Sequence, residues 1–326
     1  MKIIYFCYFP MYSKKNPLVS VCILNWNWED RLPKAIPSIL SQNYNNLEFL
    51  FLDNWSTDKS LEYISQYKEI KIIKCDSNLW ISWWRNKLAK QAKWEYILFV
   101  DNDVELTSND FVSQILHDYM KLKSENIWII FPIVKLFGNN DTCEVWLYYN
   151  KLQNVKFKDI YKKWYIQKPW FLWTIFFIEK KIFFDLWCFD EKYPYNMDDQ
   201  DFSMRLYNMW YVIYVDTNLY IIHHWVEMRA TAKGIWWRYQ YYFCWLMRAM
   251  LKNYKIENII KWWILIPWWA FIKAFKYSIK YKSILPLKWF FISVKNFFKD
   301  LKDTLEERNY WQKHRKIKND IFFNIR

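Results

Sequence analysis

The chain has 326 residues, 53% of them hydrophobic, and a formal net charge of +14. This length suits one large domain or two modest ones with an ample core. Six scattered cysteines, none in a CxxC pair, indicate neither a zinc site nor a disulfide framework. The longest uncharged stretch of the apolar tail, 262–272, is interrupted by Pro267 and is shorter than the ~20 residues that a membrane span needs.

The N-terminal stretch MKIIYFCYFPMY is apolar but contains Pro10 and has no small-residue cleavage site. We interpret it as a strand-like extension and not as a signal peptide.

Short apolar runs then alternate with segments of helical spacing. The predicted strands are Leu18–Leu24, Leu47–Leu52, Ile70–Lys74 and Tyr96–Val100, and the predicted helices are Arg31–Gln42, Asp58–Tyr67 and Ser82–Ala92. Alternation with short loops favours right-handed βαβ crossovers and a parallel, Rossmann-like sheet. Ligands of such sheets bind at the carboxyl ends of the strands.

Polar residues follow three of these strands, with Asn25 after the first, Asp53 after the second, and Asp101 and Asp103 after the fourth. Two carboxylates at i and i+2 after a buried strand suit Mg²⁺ or Mn²⁺, which prefer oxygen ligands and leave positions for substrate phosphates. A DxD motif also occurs in many solvated surface turns, so the motif alone leaves both interpretations open.

The middle of the chain is more mixed, with an apolar run at Ile127–Pro132 and no readable pattern over 135–172. The remaining elements predicted from spacing are a strand at Thr174–Ile178, helices at Glu179–Leu186 and Asp198–Met209, and two short strands at Tyr211–Val215 and Leu219–Ile222.

A second acidic cluster, NMDDQD at 196–201, opens a predicted helix. Carboxylates at a helix start favour the positive end of the helix dipole, so capping explains part of the pattern. Three carboxylates exceed what a cap requires, and one of them is a candidate general base. The pair His223-His224 ends a strand, where packed residues and ligands are both open alternatives.

The composition changes near residue 235, where we predict a boundary between domains 1–235 and 236–326. The last segment holds 19 Lys and Arg but 6 Asp and Glu, which accounts for nearly all of the net charge. Phe271–Tyr281 and Phe290–Leu301 have the spacing of amphipathic helices. They indicate either a helical appendage with a solvated basic face or an anchor for an anionic membrane surface.

Several spaced motifs together resemble the family 2 glycosyltransferases of the GT-A fold, in particular the rhamnosyltransferase-like branch. They include LDNWSTDKS at 52–60, LFVDNDVEL at 98–106 and MDDQDFSMRL at 197–206, within a resemblance that covers residues 17–235. The resemblance implies an α/β fold of Rossmann-like type, with a mainly parallel sheet and flanking helices, followed by the basic helical region.

The resemblance also implies roles for individual residues, all in this numbering. Asp199 would be the base that deprotonates the acceptor hydroxyl, although Asp198 stands where the family more often has Glu. Asp101, Asp103 and His223 would hold the metal. The residues expected around the donor nucleotide are Asn25, Asp53, Asn78, Arg85, Asn86 and Asp101.

The implied reaction is an inverting transfer of a sugar from a nucleotide-diphosphate donor to a hydroxyl of a lipid-linked or saccharide acceptor, with Mg²⁺ or Mn²⁺. We expect a peripheral cytoplasmic protein at the inner face of the membrane that takes part in surface-polysaccharide assembly. The alternative is a non-catalytic nucleotide-sugar or membrane-surface binding protein that retains the fold. No nucleic-acid module is recognised, so we expect no nucleic-acid partner.

The chain has 2 Gly and 24 Trp, where average usage predicts about 23 Gly. We hypothesise that most Trp letters stand for glycines encoded by UGA, although Trp26 fits the family as it is. The alternative is a protein that is truly rich in tryptophan. The family typically has Gly at the positions of Trp28, Trp55, Trp80, Trp83, Trp94, Trp187 and Trp210.

Overall fold

The computed structural model describes residues 16–93, 95–138, 142–148, 151–156, 165–168, 174–193, 197–224, 232–318 and 320. The predicted N-terminal extension and Trp94 lie outside these residues. The strands are β1 (Val19–Asn25), β2 (Leu47–Asp53), β3 (Ile70–Lys74), β4 (Tyr96–Asp101), β5 (Val104–Leu106), β6 (Ile127–Leu136), β7 (Thr142–Tyr148), β8 (Lys151–Lys156), β9 (Tyr165–Lys168), β10 (Ile175–Glu179) and β11 (Val212–His223). The helices are α1 (Leu32–Leu40), α2 (Ser60–Ile64), α3 (Ile81–Gln91), α4 (Phe111–Leu122), α5 (Lys180–Asp185), α6 (Asp198–Asn208), α7 (Ala232–Asn253), α8 (Ile256–Lys280), α9 (Leu285–Lys299) and α10 (Leu301–His314).

The four predicted strands of the first half are confirmed as one parallel sheet with the order β3-β2-β1-β4. Every residue of β1 is buried, because this strand is covered on both faces. Helices α1, α2 and α3 connect the strands, as the alternating pattern predicts. Their buried side chains, such as Ile36 and Leu88, join the main core around the sheet.

The second half extends the same sheet with mixed strand directions. β10 lies antiparallel between β4 and β6, and β11 runs parallel to β6. The two short strands predicted near 211–222 are one strand, because β11 continues through an irregularity between Asp216 and Tyr220. The stretch 135–172 is not irregular throughout, since it contains the end of β6 and three further strands. Strand β7 pairs with the end of β6 and forms a hairpin with β8, whereas β9 pairs with β11, which lies far along the chain. Strand propensity depends on such pairing as well as on local spacing.

The C-terminal helices pack on the sheet-bearing part of the chain. Met204 of α6 shares a second apolar cluster with Met247 of α7 and Phe297 of α9. Trp311 of α10 is 2% exposed within the main core. Helix α7 runs through the predicted boundary near 235, and the division into two domains stays a prediction. Among the described helices, none combines the length and apolarity required to cross a bilayer.

Two helix ends share a backbone motif that usually contains glycine. After α5, the amides of Trp187 and Cys188 bond to the carbonyls of Phe184 and Phe183, at 2.8 Å each. After α6, Trp210 and Tyr211 repeat the arrangement with Tyr207 and Leu206, at 2.9 and 3.1 Å. Trp187 has φ of 63° and Trp210 has φ of 69°. Each tryptophan thus occupies the left-handed position of a Schellman motif, which is usually taken by glycine.

Candidate active site

The parallel register brings the polar ends of three neighbouring strands to one edge. Asn25 pairs with Asp53, and Leu24 pairs with Asp101. The side-chain amide of Asn25 donates to Asp53 Oδ1 at 3.1 Å and to Ser56 Oγ at 3.2 Å. Asp53 Oδ2 accepts from the Ser56 amide at 3.0 Å, so the turn after β2 is held by the carboxylate. Trp55, with φ of 63°, lies in this turn and is 55% exposed.

Two other predicted donor-binding residues lie near this edge, with different partners. Asn54 donates to Asn78 Oδ1 at 2.7 Å and accepts from the Leu79 amide at 2.9 Å, which holds the loop before α3. The side-chain Nδ2 of Asn86 donates to the Phe189 carbonyl at 2.9 Å and to Glu191 Oε1 at 3.0 Å. Its Oδ1 accepts from the backbone amide of Phe189 at 3.0 Å. Asn86 therefore attaches α3 to the loop after α5, and its role in donor binding stays a prediction.

The predicted metal ligands Asp103 and His223 are in contact. His223 Nε2 lies 3.2 Å from Asp103 Oδ2, because β5 pairs with the end of β11. The adjacent His224 donates its amide to the Asp103 carbonyl at 2.8 Å, and its Nε2 lies 2.7 Å from Glu105 Oε2. The two histidines therefore contact different carboxylates, which the sequence alone does not predict.

A buried arginine joins the DxD motif to the acidic start of α6. Arg85 of α3 is fully buried. Its Nη1 lies 3.3 Å from Asp198 Oδ2 and its Nη2 lies 3.5 Å from Asp101 Oδ1. One guanidinium group thus connects two acidic motifs almost 100 residues apart in the chain, and Asp199 follows Asp198 directly.

Burial of these carboxyl groups alters their acidity. Burial raises the pKa of Asp101 to about 7, with the Arg85 charge opposing and the Asp103 charge adding to the rise. Burial, followed by the charge of Asp198, raises the pKa of Asp199 to about 7. A carboxyl group with such a pKa is half ionised near neutral pH and is suited to accept a proton.

The donor set fits a hard divalent cation. In the part of the chain that the structure describes, no group of three His, Cys, Asp or Glu side chains is arranged to hold a metal ion. Mg²⁺ usually takes one or two protein carboxylates and completes its shell with substrate phosphates and water. Asp103, together with the nearby Asp101, offers this number of carboxylates, and their mutual repulsion favours a bound cation.

Several residues of the site are absent from the sequence-based prediction. Asn102, between the two aspartates, donates to Asn25 Oδ1 at 2.7 Å and links the ends of β1 and β4. Its place within the DxD motif is the signal that identifies it. Arg248 and Lys252 of α7, which are 1% exposed, contact the loop before α6. No local pattern distinguishes them from the other cations of the C-terminal segment.

The sheet topology and the acidic edge define an α/β protein of the GT-A class. The family model described as Glycosyl transferase family 2 matches residues 20–184, just over half of the chain. The chain belongs to this family. The resemblance to family 2 and the GT-A fold predicted from the sequence are therefore confirmed.

Curated relatives support the same assignment over shorter segments. An uncharacterised glycosyltransferase of Haemophilus influenzae is 33% identical over 133 residues, which cover 40% of this chain and 49% of the relative. The putative colanic acid biosynthesis glycosyl transferase WcaA of Escherichia coli K12 is 36% identical over 102 residues, which cover 29% and 36%. The chain spans about half or less of the length of these relatives.

Two further proteins are similar in different respects. The Escherichia coli UDP-Glc:alpha-D-GlcNAc-diphosphoundecaprenol beta-1,3-glucosyltransferase WfaP is 37% identical over 89 residues, which cover 26% of this chain and 35% of that protein. The crystal structure of GalNAc-T7 with UDP, GalNAc and Mn²⁺ has a TM-score of 0.59 and 13% identity, and it covers 90% of this chain and 58% of that one. This structural similarity concerns the fold alone.

Proposed function

We propose that the protein is an inverting glycosyltransferase that moves a sugar from a nucleotide-diphosphate donor to an acceptor hydroxyl. The observation that carries the proposal is the Arg85 bridge, with Nη1 3.3 Å from Asp198 and Nη2 3.5 Å from Asp101. It supports a single site that combines the DxD motif with the acidic helix start. A fold retained for binding alone does not require a buried carboxyl group of raised pKa at Asp199.

In the proposed reaction, Asp199 takes the proton of the acceptor hydroxyl as its oxygen attacks the anomeric carbon. The bond to the diphosphate breaks on the opposite face, so the anomeric configuration inverts. Asn25 and Asp53 lie on the donor side of the site, where their hydrogen bonds keep the strand ends rigid. Arg85 holds Asp198, and through it the start of α6, at a constant distance from Asp101.

Asp101, Asp103 and His223 would hold Mg²⁺ or Mn²⁺, and His223 Nε2 lies 3.2 Å from Asp103 Oδ2. When bound, the ion supplies positive charge that stabilises the departing diphosphate. The chain itself contributes a polar edge that orients the nucleotide and a buried base that accepts the proton.

The finer assignments rest on sequence motifs and charge. The motifs favour the rhamnosyltransferase-like branch and surface-polysaccharide assembly, and the names of the WcaA and WfaP relatives support a saccharide or lipid-linked acceptor. The excess of cations after residue 235 supports an anionic membrane surface as partner and a peripheral position at its inner face. Donor, acceptor and membrane partner are proposals for this chain.

We also propose that most positions written as Trp in this sequence are glycines in the natural protein and are encoded by UGA. Of the six tryptophans at family glycine positions that the structure describes, Trp55, Trp187 and Trp210 have φ between 63° and 69°. Bulky residues are uncommon in this region, whereas glycine adopts it without a steric penalty. UGG codons at these three positions would contradict the proposal.

The enzymatic proposal is tested by release of nucleoside diphosphate from UDP- and dTDP-sugars in the presence of Mn²⁺, and by calorimetric binding of UDP with Mn²⁺ or with EDTA. We expect Asp199→Asn to reduce turnover by at least ~100-fold while UDP binding is retained. We expect Asp103→Asn to weaken the Mn²⁺-dependent part of UDP binding.

The matched control is Asp185→Asn, which changes an exposed carboxylate that pairs with Lys181 outside the site. Wild-type turnover by Asp199→Asn refutes the assigned base. UDP binding without turnover in the wild-type protein supports the non-catalytic alternative.

A further inference from the structure

Exposed apolar side chains concentrate in the C-terminal helices. Of the 19 large hydrophobic side chains that are exposed among the described residues, 13 lie between Ile256 and Leu305. A dense group surrounds the turn from α8 to α9, and we call residues 275–291 the α8–α9 corner. Besides Tyr281 (44%), which carries a hydroxyl, its exposed apolar members are Phe275 (49%), Ile279 (65%), Ile284 (75%), Leu285 (40%) and Phe291 (60%).

None of these five side chains is a tryptophan, so the surface does not depend on how the Trp letters are interpreted. Phe275 and Ile279 are four residues apart and therefore share one face of α8. Ile284 and Leu285 follow in the adjoining turn and the first residue of α9. Patches of this kind on a surface otherwise covered by polar residues indicate a binding site.

The same corner is strongly basic. From Asn258 to Lys299 the chain has eight lysines and no acidic residue. Within the corner, Lys276, Lys280, Lys282 and Lys288 are exposed between the apolar side chains. Lysine beside Phe, Ile and Leu is typical of segments that lie in the interface of an anionic bilayer.

Other partners fit this chemistry less well. A nucleic acid would match the lysines but would offer its phosphates, not apolar surface, to Ile279 and Ile284. A second copy of the same corner would bring together two sets of like charges without an acidic residue between them.

We propose that the α8–α9 corner is the surface by which the protein docks onto a bilayer rich in anionic headgroups. The lysines contact headgroup phosphates, and Ile279, Ile284 and Leu285 enter the boundary between headgroups and acyl chains. This inference deepens the membrane partner named under the proposed function and assigns it to one corner of the C-terminal helices. Docking there holds the chain beside a lipid-linked acceptor.

The test is co-sedimentation of the full chain with vesicles of three parts phosphatidylcholine to one part phosphatidylglycerol, and with phosphatidylcholine vesicles. We expect wild-type protein to bind the anionic vesicles, and to bind more weakly as salt rises from about 0.1 M to about 0.5 M. Lys276→Gln/Lys280→Gln/Lys282→Gln should weaken binding by about a hundredfold. Ile279→Ser/Ile284→Ser should weaken it by at least ~10-fold at every salt concentration.

The matched control, Lys59→Gln/Lys68→Gln/Lys74→Gln, removes three exposed lysines from the first half of the chain and should bind like wild type. The proposal is overturned if the corner variants and the control variant bind anionic vesicles equally well. It is also overturned if the wild-type protein does not bind anionic vesicles. If the triple lysine variant of the corner loses affinity for duplex DNA but still binds vesicles, the corner binds nucleic acid instead. A dimer abolished by the isoleucine variant indicates a second copy.

UDP binding without vesicles separates this inference from the proposed function. All three variants should bind UDP as the wild-type protein does, since none changes a residue of the candidate active site. If wild-type protein fails to bind UDP but binds anionic vesicles, the proposed function fails and the docking surface stands.

Discussion

Asp190 Oδ2 accepts hydrogen bonds from Nε of Arg248 at 3.0 Å and from its Nη2 at 2.8 Å. Asp190 belongs to the loop before α6, and Arg248 belongs to α7. Burial alone would raise the pKa of Asp190, but the charges of Lys252 and Arg248 hold it well below its usual range. Lys252 also lies 2.8 Å from Asp201 of α6, so α7 supplies the cations that compensate the acidic helix.

Breaking this pair should destabilise the fold. Arg248→Met leaves Asp190 and Glu307 with less compensation in a buried setting, and we expect the free energy of unfolding to fall by about 3–5 kcal/mol. Urea denaturation measures the change. The control is Lys192→Met, which breaks the more exposed pair with Asp303 on α10 and should leave stability nearly unchanged. Equal effects of both substitutions would contradict the structural role of the buried pair.

Turnover should depend on the ionisation of Asp199. Since the base must be ionised, kcat/KM should decline as pH falls below the raised pKa of about 7. In Asp198→Asn a neighbouring negative charge is removed, so the pKa of Asp199 falls and the acidic limb moves to lower pH. The pH profile of nucleotide release measures the acidic limb of the wild-type protein and of Asp198→Asn. In Glu62→Gln, which alters an exposed side chain of α2, the limb should stay in place, and an unmoved limb in Asp198→Asn would refute the coupling.

Replacing one strained tryptophan should stabilise the protein. Trp210 is 63% exposed and has φ of 69°, so Trp210→Gly removes backbone strain at little cost in packing. We expect a gain of about 1 kcal/mol in thermal or urea denaturation. Trp289→Gly, in the interior of α9, should instead lose at least ~1 kcal/mol. A loss of stability in Trp210→Gly would argue against the glycine interpretation of this position.

A buried carboxyl pair away from the candidate site predicts a pH-dependent stability. Burial, followed by a hydrogen bond with Asp118, raises the pKa of Asp216 to about 7. Because the folded-state pKa exceeds the unfolded value, the stabilising contribution is complete below about pH 4 and declines as pH rises through about 7. Asp216→Asn cannot ionise, and its amide can still donate to Asp118.

The gain in melting temperature from Asp216→Asn should therefore be larger at pH 8 than at pH 4.5. Asp58→Asn is a matched control, because hydrogen bonds lower the pKa of Asp58 even though burial alone would raise it. Its loss of stability should be greatest at high pH, the opposite trend. A gain from Asp216→Asn that is independent of pH would contradict the raised pKa of Asp216.

The first half of the fold was predictable because each element carries its own signal. Val19–Asn25 and Tyr96–Asp101 are mainly apolar runs that end in polar residues, and parallel pairing then brings Asn25, Asp53 and Asp101 to one edge. The second half was less accessible, because β7, β8 and β9 lack a pattern that distinguishes them from loops. Their pairing supplies the missing information, since β7 pairs with the adjoining strands β6 and β8, and β9 pairs with the distant strand β11.

The amino-acid sequence by itself determined the alternating strands and helices, the two acidic motifs and the basic, apolar C-terminal segment, since these depend on residue type and local spacing. Tertiary structure alone decided that Arg85 joins Asp101 to Asp198, that His223 and His224 serve different carboxylates, and that Arg248 belongs to the core while Lys280 faces solvent. The physical reason is that a charge acquires its role from its burial and its neighbours, and residues far apart in the chain provide both.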